Sequence, residues 1–390
     1  MLNATLNATE MRRHNRSLVL RHIRERGCSR AEIARRTGLT RAAISVLVDE
    51  LLQEGILLEG AAEAKGAVGR RATRLCLNPE AFYILGVSIT RGVSTLGLTD
   101  FRGTLLRQTE GSSPGASPKE ALAQIDEAIR EFLKAPPPGR LLGIGVIAPG
   151  PLDTRRGLLL NPPNLGSWHN VPLGEHFRTA FHVPVLLENN ATALALAEKS
   201  CGLGHRYPRF LAVVVDTGIG GGFVTPEGLF KGSFGFGTEI GHTSIAVDGP
   251  LCTCGNRGCA ELYASIPNIL AYARGICPDL ATWPALVDAA AAGRADAESV
   301  IDREVTYLSC MVSNAIQLLD VSTILFFGDV CYRFDVLAPK LEARLNGRGM
   351  GHVIRHVRVY PSALGAQATF AAANLVLEAY IQAELEIVPD

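Results

Sequence analysis

The run from His242 to Glu261 constrains this chain more than any other stretch. It places His242, Cys252, Cys254 and Cys259 in one short glycine-containing segment, with Glu239 three residues before it and Glu261 two residues after. Three thiolates and one imidazole complete a tetrahedral zinc shell and leave no protein position open for a catalytic water. The spacing therefore predicts a structural zinc that pins a loop, with carboxylates carried on both sides. A cluster of reduced thiols without metal is the alternative. A Cys-x-Cys-x4-Cys pattern beside an in-range histidine seldom arises by chance, which favours the metal.

At 390 residues the chain is long enough for two or three domains with their own cores. Its nine cysteines, most of them far apart, form no disulfide framework and suit a reducing compartment. The first ten residues lack the apolar core of a signal peptide. No apolar run approaches the roughly 20 residues needed to cross a bilayer. These features predict a soluble, cytoplasmic protein with no membrane partner. Charge is balanced overall but unevenly spread: residues 1–78 hold 14 Lys+Arg against 8 Asp+Glu, and the remainder 24 against 30. A basic head on an acidic body is the asymmetry expected where one end meets a polyanion.

Within that head, residues 15–26 read as a helix with Leu18, Val19, His22 and Ile23 on one stripe, following an N-terminal arm over 1–14. Ser29 and Glu32 form a capping box that opens a second helix, which ends at Thr37-Gly38. Thr40 caps a third helix running from Arg41 to about Glu54, with Ile44, Leu47, Val48 and Leu51 facing inward. Two strands, at 56–58 and 74–77, flank a Gly/Ala-rich loop that carries Arg70 and Arg71. This pattern predicts a winged helix-turn-helix over 15–78. Thr40, Arg41, Ala42 and Ser45 would enter a major groove, and Arg70 and Arg71 a minor groove. Operator DNA is the expected partner.

From residue 79 strands and helices alternate to the end, which marks an α/β domain. About 310 residues is near the limit for one core, so two lobes with a cleft are expected, the second spanning roughly 188–362. Backbone at Pro149-Gly150 ends one strand. Glu188-Asn189-Asn190-Ala191 ends another and opens an alanine-rich helix. The Thr217–Gly222 glycine run follows a strand; it could cradle an anion, and a tight turn explains it equally well.

The order of these motifs, above all Glu239-Ile240-Gly241-His242 and the cysteine cluster, resembles the ROK family of repressors, open reading frames and sugar kinases. The resemblance covers nearly the whole chain. It implies a two-lobed actin-like, ribonuclease-H-like sugar-kinase fold, with zinc held by His242, Cys252, Cys254 and Cys259. It also implies sugar contacts from Gly150, Asn164, Asn189, Asn190, Glu239, His242 and Glu261. The family's ligands include glucose, xylose and N-acetylglucosamine, so a monosaccharide or amino-sugar effector is expected, acting on a homodimer or tetramer.

Its kinases carry a catalytic aspartate in a Glu-Asn-Asp-Ala run, where this chain has Asn190. An amide can hydrogen-bond a sugar hydroxyl but cannot take its proton. Their phosphate loop, Asp-x-Gly-Gly-Thr, is here Ser88-Ile89-Thr90-Arg91-Gly92, and a pair of nucleotide-end glycines is Gly328-Asp329. The sequence therefore predicts a sugar-responsive transcriptional regulator, most simply a repressor, with no catalytic residues. A sugar kinase with a displaced base is the alternative.

Overall fold

A computed structural model describes residues 7–60, 73–90, 93–111, 117–162, 165–233, 235–347, 349, 351, 353–365 and 367–385. Helix α1 spans Ala8–Arg26, seven residues longer at its start than the sequence reading allowed. Its start is set by a second capping box: Asn7 Oδ1 accepts the Glu10 N–H at 2.9 Å, and Glu10 accepts the Asn7 N–H at 3.0 Å. Residues 8–14 thus belong to the helix and not to an extended arm. Gly27, at φ 60°, ends it.

Helix α2 (Arg30–Thr37) carries the expected Ser29–Glu32 box, whose hydrogen bonds to Ser29 hold the Glu32 carboxyl below the usual glutamate range. Gly38, at φ 75°, turns the chain into α3 (Arg41–Gln53), which buries Ile44, Leu47, Val48 and Leu51. Strands β1 (Leu57–Gly60) and β2 (Arg74–Leu77) pair antiparallel as the wing.

The chain continues through β3 (Phe82–Ile89), β4 (Ser94–Asp100), β5 (Leu105–Glu110), α4 (Pro118–Phe132) and β6 (Arg140–Ala148). Two short strands, β7 (Leu152–Asp153) and β8 (Leu158–Leu159), precede α5 (Leu173–Phe181), β9 (Val185–Asn189) and α6 (Asn190–Cys201). Then come β10 (Phe210–Val215), β11 (Ile219–Thr225) and β12 (Gly228–Phe230), followed by helices α7 (Glu261–Ala264), α8 (Ile266–Ala273), α9 (Trp283–Ala291) and α10 (Ala295–Leu319). Strand β13 (Thr323–Phe327), α11 (Phe334–Asn346), β14 (Arg358–Pro361) and α12 (Ala368–Ile381) complete the chain. Among the described residues no helix is long and apolar enough to cross a membrane.

Two five-stranded sheets share one design. The first is ordered β5-β4-β3-β6-β9 and the second β12-β11-β10-β13-β14. In each, an antiparallel meander comes first and a strand then joins parallel to its inner member: β6 beside β3, β13 beside β10. The chain divides into two compact units, one of Met1–Ile147, Pro172–Leu187 and Ala372–Asp390, the other of Ala148–Val171 and Glu188–Ala371.

In the first unit a single apolar cluster joins Val19, Ile33 and Ile44 of the helical head to Phe82, Ile84 and Leu142 of the sheet and to Val376, Leu377 and Tyr380 of α12. Packing therefore crosses the 78/79 boundary drawn from the sequence. Helix α12 lies directly on β6, where a Cβ on Gly145 would stand 1.8 Å from Ala372 O. Arg24 of α1 pairs with Glu378 and donates to Asn374 Oδ1 at 2.7 Å, tying head to α12 by charge as well.

The second unit buries its own cluster around α9, α10, β10 and β13. Glu304 sits inside it at 0 % exposure, and neither carboxylate oxygen meets a hydrogen-bond partner among the described residues. Burial raises its carboxyl well above the usual glutamate range. The folded chain thus keeps the Glu304 proton at pH values where the unfolded chain has lost it, and stability falls as pH climbs above the unfolded value of about 4.3. Glu304→Gln is expected to flatten that fall. In denaturant titrations it should be more stable than the parent at pH 8 and level with it near pH 4.

Candidate functional site

The loop after β12 is built around the cysteine cluster. Ligand atoms of His242, Cys252, Cys254 and Cys259 all lie within 4.8 Å of one another. His242 Nδ1 is 3.6 Å from Cys252 Sγ, and Cys254 Sγ is 3.6 Å from Cys259 Sγ. A tetrahedral zinc with bonds of about 2.0–2.3 Å requires ligand–ligand edges of roughly 3.5–3.8 Å, so the donor set fits that ion. Burial, reinforced by the neighbouring sulfurs of Cys254 and Cys252, pushes the Cys259 thiol up to about 12. Thiols crowded in this way do not ionise together without a cation among them.

Backbone bonds fold the loop to that shape. Cys252 N–H donates to Asn256 O at 2.7 Å and Ile245 N–H to Gly258 O at 2.8 Å. Gly258, at φ 64°, passes so close to Ala246 that a Cβ would fall 1.7 Å from its carbonyl oxygen.

Beside this loop, residues from four segments of the second unit converge. A Cβ on Gly150 would lie 3.1 Å from Asn189 Nδ2 and 3.8 Å from Glu239 Oε1. Asn189 caps α6 with its Oδ1, accepting the Ala191 N–H at 2.9 Å, and turns its Nδ2 toward Gly150. Asn190, the first residue of α6, has a buried Oδ1 with no hydrogen-bond partner among the described residues. Glu261 Oε2 accepts the Ile219 N–H at 2.8 Å, at the start of β11. Desolvation raises the Glu239 carboxyl above the usual glutamate range; His242 pulls it back and Glu261 adds to the rise. Glu239 as a whole stays exposed, so the rise reflects crowding at its carboxyl end. Such a set of amides, carboxylates and open backbone offers donors and acceptors to a polyhydroxylated ligand. Asn164 lies outside the described residues.

One sequence expectation changes here. Gly220–Gly222 form no anion cradle: they lie inside β11, in register with Val214, Val213 and Ala212 of β10, and only Thr217-Gly218 forms the turn. The glycines make room for α6, since a Cβ on Gly220 would meet Ala191 Cβ at 2.8 Å and one on Gly222 would meet Ala195 Cβ at 2.6 Å. Glu188 is only 5 % exposed. It accepts the Asn189 N–H at 3.0 Å and pairs with Lys231 at 2.6 Å. Lys231 was invisible to sequence reasoning because it comes from a distant hairpin.

At the ends of the parallel strands β10 and β13, Asp216 and Asp329 face one another. Burial and then the Asp329 charge raise the Asp216 carboxyl above the usual aspartate range.

In the head, Thr40 Oγ1 accepts the Ala43 N–H at 3.2 Å and caps α3. Arg41 and Ala42 are exposed, Ser45 half-buried, and the first turn carries no acidic residue. Val46, which the sequence reading passed over, stands 58 % exposed on the same helix; its place outside the inward Ile44/Leu47/Val48 stripe could have found it. Arg70 and Arg71 lie outside the described residues.

A model of the ROK family matches residues 84–379, and one of the MarR family residues 13–65. The chain is 27 % identical over 380 residues to a xylose repressor of Bacillus spizizenii, covering 96 % of this chain and 97 % of that one. It superimposes with a TM-score of 0.84, at 26 % identity, on the crystal structure of a ROK family transcriptional regulator described as a homologue of the Escherichia coli Mlc protein; the match covers 95 % of this chain and 97 % of that one. A ROK family glucokinase from Streptomyces griseus, solved with glucose and AMPPNP, matches with a TM-score of 0.67 at 25 % identity, over 75 % of this chain and 98 % of that one.

The geometry of the cysteine cluster makes one requirement on the isolated protein. Cys254→Ala is expected to lose zinc and to melt at a lower temperature, read by elemental analysis and calorimetry. A full zinc complement in that variant would remove Cys254 from the ligand set.

Proposed function

The chain belongs to the ROK family, and from that premise we propose that it is a sugar-responsive DNA-binding repressor of carbohydrate uptake or catabolism genes, without kinase activity. One observation carries the distinction from a kinase: Asn190 occupies the position of the family's catalytic base, with its Oδ1 buried and unpartnered among the described residues. An amide there can hold a sugar hydroxyl and cannot deprotonate it. Loss of a general base typically removes about 10²–10⁴ in rate. The adjacent carboxylate offers no substitute, because Glu188 is committed to the Asn189 N–H and to Lys231. Where a nucleotide's phosphates would need cations or amides, Asp216 and Asp329 supply crowded carboxyls instead.

In this reading Gly150, Asn189, Asn190, Glu239 and Glu261 bind and orient the sugar, with Asn164 as a further contact. The Nδ1 atom of His242 points to the cysteines, which leaves its other ring nitrogen for a sugar hydroxyl. Bound at His242, Cys252, Cys254 and Cys259, zinc supplies a structural cross-link and no reactive group. The head docks on operator DNA through Arg41, Ala42 and Ser45 at the start of α3, with Thr40 at its cap and Arg70 and Arg71 on the wing. A homodimer then reads two half-sites. Sugar releases the operator, because it binds one conformational state of the chain better than the other. A sugar kinase with a displaced base is the second reading, favoured by the likeness to the glucokinase; ATP turnover with a hexose would establish it.

The test is selection of genomic DNA by the zinc-loaded protein at physiological salt, followed by sequencing. A two-fold symmetric site beside sugar genes is expected, released by one sugar of a panel. Diffuse, salt-sensitive binding alone would overturn the repressor reading. Glu261→Ala should bind the selected site as tightly as the parent and lose the response to sugar; an unchanged response removes Glu261 from the ligand site.

A further inference from the structure

Thr238 holds a backbone conformation at the ligand site that its side chain disfavours. Its φ is 69°, and among the described non-glycine residues at positive φ it is the one with a β-branched side chain. Glycine takes such a conformation without steric cost, and nearby Gly232 and Gly235 do so. A threonine at 238 therefore needs a reason beyond the turn.

Its hydroxyl provides one. Thr238 Oγ1 lies 3.0 Å from Gly221 O and 2.5 Å from the adjacent Gly237 O, and its single proton is shared between these two acceptors. Strand β11 pairs with β12 only through Phe223, Val224 and Thr225, so at Gly221 the Thr238 hydroxyl takes the place of a neighbouring strand. Gly221 allows the approach, since a Cβ there would stand 2.6 Å from Thr238 O. On the far side, Ile240 is buried at 5 % exposure and donates its N–H to Thr238 O at 2.7 Å. Glu239 is thus held between a hydrogen-bonded tether and an apolar anchor.

We infer that Thr238 is a positioning residue for sugar recognition: its hydroxyl ties the turn to the edge of β11 and thereby holds the Glu239 carboxylate beside Gly150, Asn189, His242 and Glu261. The inference rests on the reading of this site as a sugar site. It assigns Thr238 no contact with the ligand.

Two variants separate the hydroxyl from the shape. Thr238→Val keeps the branched side chain and removes the proton donor; Thr238→Ser keeps the donor and removes a methyl group. Binding to the full-length, zinc-loaded protein is measured by calorimetry with D-xylose, D-glucose and N-acetyl-D-glucosamine. If the parent binds none of the three, the sugar-site reading falls and this inference with it. If it binds one, Thr238→Val is expected to weaken that sugar about tenfold, the scale of one lost hydrogen bond that organises a site, and Thr238→Ser to stay within about threefold.

The same Thr238→Val change is then made in Glu239→Gln. A residue acting through Glu239 should there add less than about twofold, because coupled substitutions are not additive. Undiminished sugar binding by Thr238→Val overturns the inference while leaving the sugar site standing. So does a full tenfold loss in the Glu239→Gln background, or a loss accompanied by reduced zinc content.

Discussion

The direct contact between α6 and β11 is the constraint on which the candidate ligand site depends. Gly220 and Gly222 leave no side chain on the face that Ala191 and Ala195 press against, so the helix lies against strand backbone. Interior packing is dense enough that one added methyl group on such a face shifts the pieces apart. The start of α6 presents Asn189 and Asn190, the start of β11 is bonded to Glu261, and the edge of β11 receives Thr238. Three parts of the site are therefore set by one helix–strand distance. The alanine-rich character of α6 and the glycine run are two sides of the same requirement, although 18 or more residues separate them along the chain.

The segment from Thr243 to Ala260 follows a different logic. Val247 and Leu251 are largely exposed, and the loop is shaped by backbone hydrogen bonds, tight glycines and polar side-chain bonds such as Ser244 Oγ to Arg257 O and Asn256 Nδ2 to His242 O. Too little apolar surface is buried there to order the loop by packing alone. A metal held by the four donors would supply what the missing core does not. It would also fix His242 at the border between the loop and the candidate ligand residues.

Legibility in the sequence followed how local each signal was. The Ser29–Glu32 box, the Thr40 cap, the inward stripe of α3 and the cysteine spacing all act within a few residues, and each has its counterpart in the structure. The Asn7–Glu10 box is equally local and sets the first two turns of α1. Interactions that cross the chain were not legible. Nothing near Lys231 marks it as the partner of Glu188, nothing near Thr238 announces a positive φ, and a glycine run looks the same whether it faces a phosphate or an alanine helix. The candidate ligand residues rest on family resemblance, since no periodicity brings Gly150 to Glu239.

Within the first unit, the head is not suspended on a linker. Its core is continuous with the sheet and α12, Arg24 is held by Glu378 and Asn374, and Arg16 pairs with Glu54 and reaches the Tyr380 hydroxyl at 3.3 Å. Burial of the Arg24–Glu378 pair makes it costly to break by removing one partner, because the other would be left charged and enclosed. A ligand that altered only the local order of a hinge would find no hinge here to act on. Head, sheet and α12 share one core, so a displacement of any of them within this unit is resisted by the packing of the other two.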